Sequence, residues 1–164
     1  MKITVVCVGR AGRVMEGAIG EYETRARRYW TLDVAEVREE RAGKGVPDAL
    51  IRNAEGERIL KRVPDAAELV ALTRTGRTYG SAEFARELAK RAVSGGGDVA
   101  FVIGGALGLG DAVLRRATRQ MQLSSFTMPH DLARLVLLEQ LYRAGTILRG
   151  EPYHKGSDNT SDEG

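Results

Sequence analysis

The sequence predicts an α/β domain whose sheet is mainly parallel and flanked by helices. Short runs rich in β-branched residues alternate with longer helix-like segments, the pattern of strand, crossover helix and next strand. Lys2 to Val8 and Val99 to Ile103 are strongly apolar, as buried strands are. The second of these runs straight into Gly104-Gly105-Ala106-Leu107-Gly108-Leu109-Gly110, beyond the carboxyl end of a strand, where open α/β sheets hold their ligands.

The elements follow in order. Lys2 to Val8 opens the chain as a strand, and Val14 to Trp30 reads as a helix with Arg25, Arg27 and Arg28 suited to the negative end of its dipole. Leu32 to Arg38 alternates apolar and polar as a second strand, and the charged, Gly-containing Glu39 to Pro47 is expected to be a mobile loop. Asp48 to Arg62 is a helix that Asp48 would cap after Pro47. Glu68 to Thr73 is a third strand, Thr75-Gly76-Arg77 a turn, and Ser81 the N-cap of a helix through Ala92. Gly95-Gly96-Gly97 breaks the chain before the strand Val99 to Ile103. A short helix from Asp111 to Thr118, a fifth strand from Gln120 to Ser124 and a last helix from Asp131 to Leu148 complete the pattern. Residues 1–155 form a single domain, and the polar, acidic stretch 156–164 is expected to be a disordered tail.

Composition excludes several classes. A single cysteine, Cys7, rules out an internal disulfide framework, and its apolar neighbours place it in the core. No run approaches the length of a membrane span, and the N-terminus carries no cleavable signal pattern, so a cytoplasmic protein is expected. Two histidines, His130 and His154, without paired cysteines or a His-Glu-x-x-His pattern leave no metal site. A net charge of +3 is compatible with a polyanionic partner but does not require one.

Four features bear on chemistry. The glycine stretch lets backbone approach a ligand or adopt positive φ. It equally serves a plain strand-to-helix turn, and it lacks the spacing of a dinucleotide or phosphate loop. Leu123-Ser124-Ser125-Phe126-Thr127-Met128-Pro129-His130 follows a strand, and its backbone groups could read a flat heterocycle. Pro129 and Asp131 are also ordinary helix-start residues, and His130 reads as a structural donor. The last helix, with Leu132, Leu135, Val136, Leu137, Leu138 and Leu141, is either central to the core or half of an oligomer interface. Glu139 and Arg143 stand four apart on it, a pair usually worth a few tenths of a kcal/mol. Tyr153-His154-Lys155 past its end has the residue types for stacking on a base and contacting phosphate, and equally those of a frayed terminus.

Taken together, Phe101-Val102-Ile103-Gly104-Gly105, Leu123-Ser124 with Thr127-x-Pro129-His130, Glu139-Gln140-x-Tyr142-Arg143-Ala144 and Arg149-Gly150-Glu151-x-Tyr153-His154-Lys155 resemble the ribosomal RNA large subunit methyltransferase H family. The order and spacing of the four motifs match up to Lys155. These are small SPOUT-class enzymes that methylate N3 of pseudouridine 1915 in 23S rRNA. The resemblance implies a SPOUT-type α/β knot with a C-terminal trefoil, a homodimer packed through it, S-adenosylmethionine as cofactor and assembled ribosomes as substrate. It assigns Leu72, Gly104, Gly105, Gly108, Leu123, Ser124, Ser125, Phe126, Thr127 and Met128 to the cofactor, and Tyr153 and Lys155 to RNA. Arg143 and His154 become the candidates for substrate charge and proton handling; arginine cannot serve as a base, whereas an imidazole titrates near neutrality. Where many relatives have Pro-Glu this chain has Ala106-Leu107, which removes a carboxylate from that loop. Other readings on the same fold are a SPOUT methyltransferase for another rRNA or tRNA nucleotide and a ribosome-associated module without turnover. A nucleotide-binding α/β protein is disfavoured by the missing phosphate loop.

Overall fold

Burial on both faces shapes the sheet in the computed structural model, which describes residues 1–155. The tail expected at 156–164 lies outside the described residues. Strands and helices alternate as β1 (Lys2–Val8), α1 (Arg13–Ala26), β2 (Thr31–Val37), α2 (Asp48–Leu60), β3 (Glu68–Thr78), α3 (Ser81–Val93), β4 (Val99–Ile103), α4 (Asp111–Arg116), β5 (Arg119–Gln122) and α5 (His130–Leu148). The sheet order is β2-β1-β4-β3-β5, and every pairing is parallel. Along β1 the side chains alternate between two cores. Ile3, Val5 and Cys7 join the core under α1, α3 and α5, whereas Val6 and Val8 join the core under α2 and α4. Each fully buried aliphatic side chain contributes about 1.5–3 kcal/mol, so a strand that is apolar on both faces holds both helical layers at once.

The layer of α1 and α5 is tightly keyed. Trp30 donates its indole N–H to the Leu141 carbonyl at 2.8 Å. A Cβ on Gly145 would sit 2.2 Å from Cγ of Tyr29. Glycine inside a helix costs about 1 kcal/mol relative to alanine, but here its absent side chain is what seats the Tyr29 ring. Leu137, Leu138, Leu141 and Ala144 of α5 are buried within the subunit, and Leu132, Val136 and Ile147 are half-exposed.

Three local expectations are corrected. Thr75-Gly76-Arg77 is no turn: β3 continues to Thr78, and Leu72 and Arg77 both face Met121 across a register shift. A Cβ on Gly76 would lie 2.5 Å from the Met121 nitrogen, so this glycine serves close strand approach rather than chain reversal. Neither Ser81 nor Asp48 is an N-cap; each is the first residue of its helix, after the extended Gly80 and Pro47. The Ser81 hydroxyl instead donates to Oε1 of Gln140 on α5 at 2.7 Å, a tertiary partner that outcompetes the local one. α1 ends at Ala26, four residues before Trp30, because the chain there turns to lay Tyr29 and Trp30 on α5.

Cys7 is fully buried, and that burial pushes its thiol from 9.0 up to about 12. A raised thiol value means that the folded state keeps its proton while the unfolded chain ionises. Cys7 therefore contributes stability that is present below pH 9 and lost as pH rises towards 12, a total of about 4 kcal/mol. The native protein should leave a thiol-reactive disulfide reagent untouched at pH 8 and react with one equivalent after denaturation. Fast labelling of the native state would show that this part of the core opens.

Candidate functional site

A cleft of about 590 Å³ opens beyond the carboxyl ends of β4 and β5, against the middle of β3 at Leu72 to Thr75. It has the size of a small-molecule site. Of the ten residues the sequence assigns to the cofactor, nine line it: Leu72, Gly104, Gly105, Gly108, Leu123, Ser124, Phe126, Thr127 and Met128. Ser125 is not among the lining residues. Thr73, Arg74 and Thr75 also line the cleft, and the mistaken turn at Gly76 hid them. Gln120, His130 and Ala133 complete its rim.

The glycines play different parts. Gly108 N donates to the Gly105 carbonyl at 3.0 Å, closing a tight turn. Gly108 holds φ of +82°, whereas Gly105 has no positive φ, so the conformational demand sits at Gly108. A Cβ on Gly104 would lie 2.7 Å from the Gly108 carbonyl carbon and oxygen, contact with backbone that cannot step aside. A Cβ on Gly105 would meet the Glu55 carboxylate and Val8 at 3.1 Å. On the opposite wall, Phe126 N donates to Ser124 Oγ at 3.0 Å, which bends the loop and leaves the Phe126 ring 84% exposed at the mouth.

Behind the glycine turn lies a carboxylate that sequence reasoning missed. Glu55 is only 4% exposed and accepts the Glu40 N–H at 3.2 Å. Burial raises its carboxyl above the ordinary range, against the pull of that N–H. Nothing in the helical period of α2 separates it from a solvated glutamate. His130 places Nε2 3.5 Å from the Glu39 carboxylate, and Asp131 accepts the Gly12 N–H at 3.2 Å, so the start of α5 is tied to the loop after β1.

A second cluster surrounds Glu139. Its Oε1 accepts from Arg143 Nε at 3.0 Å and Nη2 at 2.5 Å, and from the Tyr153 hydroxyl at 3.0 Å. Arg143 Nη1 lies 3.1 Å from His154 Nδ1, and its guanidinium sits 4.8 Å from the centre of the Tyr153 ring. The bond to Glu139 raises the Arg143 guanidinium further. Burial, with the bonds to Tyr22 and Glu139, raises the Tyr153 phenol. Lys155 is exposed. Arg143, Tyr153 and His154 thus come together, but not at the cleft. Ala133 is the last cleft residue on α5, and Arg143 lies ten residues farther, about 15 Å along the helix axis.

Among the described residues, no group of three His, Cys, Asp or Glu side chains could hold a metal ion. Among the described residues, no helix is long and apolar enough to cross a membrane.

Glu55→Gln should raise the melting temperature at pH 8. The gain should open as pH rises above about 4.5, the ordinary carboxyl value, and level off beyond the raised folded value. A melting temperature below wild type at pH 8 would show that the carboxylate charge itself holds the glycine turn.

A family described as "Predicted SPOUT methyltransferase" matches residues 1–154. The chain is 49% identical over 156 residues to the ribosomal RNA large subunit methyltransferase H of Gemmatimonas aurantiaca, covering 94% of this chain and 100% of the relative. It is 43% identical over 159 residues to the protein of that name from Listeria monocytogenes serotype 4b, again covering 94% and 100%. A solved structure, a probable methylase family protein from Haemophilus influenzae, superposes with a TM-score of 0.52 at 17% identity, over 96% of this chain and 72% of that one. That last likeness is one of fold.

Proposed function

The chain belongs to the SPOUT methyltransferase family, and on that premise we propose that it transfers a methyl group from S-adenosylmethionine to N3 of pseudouridine 1915 in 23S rRNA, on assembled ribosomes in the cytoplasm. The observation that carries this reading is the cleft beyond β4 and β5, walled by backbone at Gly104 and by the loop from Leu123 to Met128. The residues present fit the cofactor. Leu72, Ile103 and Leu123 offer an apolar wall for a flat ring, Gly104 lets the Gly108 backbone close tightly over the strand end, and Arg74 brings a cation to the lining for a carboxylate. When bound, the cofactor supplies an electrophilic methyl group on its sulfonium, so the chemistry needs no metal.

The protein's part is positioning and charge. Holding nitrogen, methyl carbon and sulfur in line accounts for much of the barrier reduction in such a transfer. The target nitrogen is an imide flanked by two carbonyls, and charge gathers on them as its proton leaves. Arg143 and His154 are the groups assigned to that charge, with Tyr153 and Lys155 contacting RNA. Because about 15 Å of α5 separates Arg143 from the cleft of its own subunit, the reading includes a homodimer in which one subunit's Glu139 cluster faces its partner's cleft. The half-exposed stripe of Leu132, Val136 and Arg143 on α5 is the surface proposed for that contact, with closed two-fold symmetry as the common form. A trefoil knot in the C-terminal part belongs to the same proposal. It is supported by the family and by α5 returning from the β5 edge to pack on β1 and β4.

Ribosomes lacking the modification, incubated with the protein and S-adenosylmethionine, should gain one methyl group at this pseudouridine by mass spectrometry of the rRNA. A methyl group on another nucleotide would move the substrate, and none on any RNA would refute the reading. Gly104→Ala should weaken cofactor binding about tenfold or more in calorimetry, since the added Cβ would meet the Gly108 backbone at 2.7 Å and the turn must shift, while Gly105→Ala loses less.

Deleting residues 153–164 should leave cofactor binding nearly intact and abolish methylation, and deleting 156–164 should change neither. Light scattering of the whole chain should report a dimer at micromolar concentration; a monomer that still methylates would refute the shared site.

A further inference from the structure

The contact between Arg143 and His154 decides which ring nitrogen carries the imidazole proton. A guanidinium has donors and no acceptor. With Arg143 Nη1 3.1 Å from His154 Nδ1, Nδ1 is the acceptor and the hydrogen sits on Nε2. The guanidinium is held in that pose. Glu139 Oε1 takes its Nε and Nη2, and Glu139 Oε2 accepts from Gln140 Nε2 at 2.7 Å. Gln140 in turn accepts the Ser81 hydroxyl at 2.7 Å, so the chain of bonds runs from α3 to the C-terminal segment. A doubly protonated ring would turn an N–H against the guanidinium N–H. Arg143 on α5 contacts the ring, Tyr153 and Lys155 flank it in sequence, Glu139 on α5 and Tyr22 on α1 bond Tyr153, and Arg25 on α1 lies over Tyr22.

From this arrangement we infer that His154 serves the transfer as a hydrogen-bond donor through Nε2, to a carbonyl oxygen beside the attacking imide nitrogen, and not as the base that takes the imide proton. The inference rests on the methyl-transfer reading above, and it reverses the direction in which the sequence assigns proton traffic to this residue. The step balances without a protein base. The N3–methyl bond forms, the methyl–sulfur bond breaks and leaves a neutral thioether, and the N3 proton passes to a water molecule. Negative charge gathers on the two carbonyl oxygens as N3 loses its proton and is discharged as the methyl group arrives. A pre-set N–H aimed at one of them, backed by a fixed cation, lowers the barrier as oxyanion-hole donors do, with single donors worth about 10²–10³ in rate. Glu139 is a positioning residue in this scheme, since it touches neither reactant and acts by holding Arg143.

Two measurements test the assignment. Nitrogen-15 spectra of histidine-labelled protein should show His154 as the neutral ring with Nε2 protonated and Nδ1 bare, before any substrate is added. Single-turnover methylation of ribosomes should then separate His154→Gln from His154→Ala. Glutamine offers Arg143 an acceptor and the substrate a donor but cannot accept a proton. We expect His154→Gln to stay within about tenfold of wild type and His154→Ala to lose about a hundredfold or more. Cofactor affinity and dimer mass, measured on both variants, keep loss of folding apart from loss of chemistry. A Gln variant as slow as the Ala variant, or a ring protonated on Nδ1, would overturn the donor role and leave the methyl-transfer reading standing. Wild-type rates in His154→Ala would instead remove His154 from the site altogether.

Discussion

Everything in this subunit hangs on β1 and β4 being covered on both faces. Ile3, Val5 and Cys7 look into one core and Val6 and Val8 into the other, and β4 divides in the same way. A parallel sheet buried on both sides must send each crossover over one face or the other, and here α1, α3 and α5 take one face and α2 and α4 the other. The carboxyl ends of the strands are then the natural place for backbone left without a strand partner. That is where the segments after β4 and β5 gather, against the middle of β3, to form the cleft.

α5 is the second organising element, because it meets both functional clusters. Its first turn lines the cleft and is tied to the loop after β1 through Asp131 and Gly12. Its later turns carry Glu139 and Arg143 and are keyed to α1 by Trp30 and by the Tyr29 ring over Gly145. A rigid helix cannot fold back on itself, so the two clusters stay apart within one chain. That separation, more than the apolar count of the helix, is the argument for a partner subunit. An ion pair four residues apart on an open helix contributes a few tenths of a kcal/mol. At 18% and 25% exposed side chains, with Tyr153 and His154 added, Glu139 and Arg143 become a scaffold instead.

Legibility followed the range of the forces involved. β1 and β4 were read with their observed bounds, since each is apolar enough that burial and strand propensity agree. Nine of the ten residues assigned to the cofactor by motif resemblance line the cleft. β3 was cut short because a glycine between threonines looks like a turn when its neighbour β5 is unseen. Ser81 looked like a cap because a hydroxyl before a helix normally is one, and its actual partner lies 59 positions away. Glu55 was passed over because period alone cannot tell a buried glutamate from a solvated one.

The sequence by itself determined the α/β class, the alternation of elements, the buried thiol and nine of the residues around the cleft. These follow from local propensity, from apolar runs whose burial is favourable in any topology, and from motifs short enough to be intact in the chain. Tertiary structure alone decided which glycine bears positive φ, which meets backbone, and which nitrogen of His154 holds a proton. Those outcomes depend on contacts between segments distant in sequence, where a few tenths of an ångström separate an open position from a forbidden one.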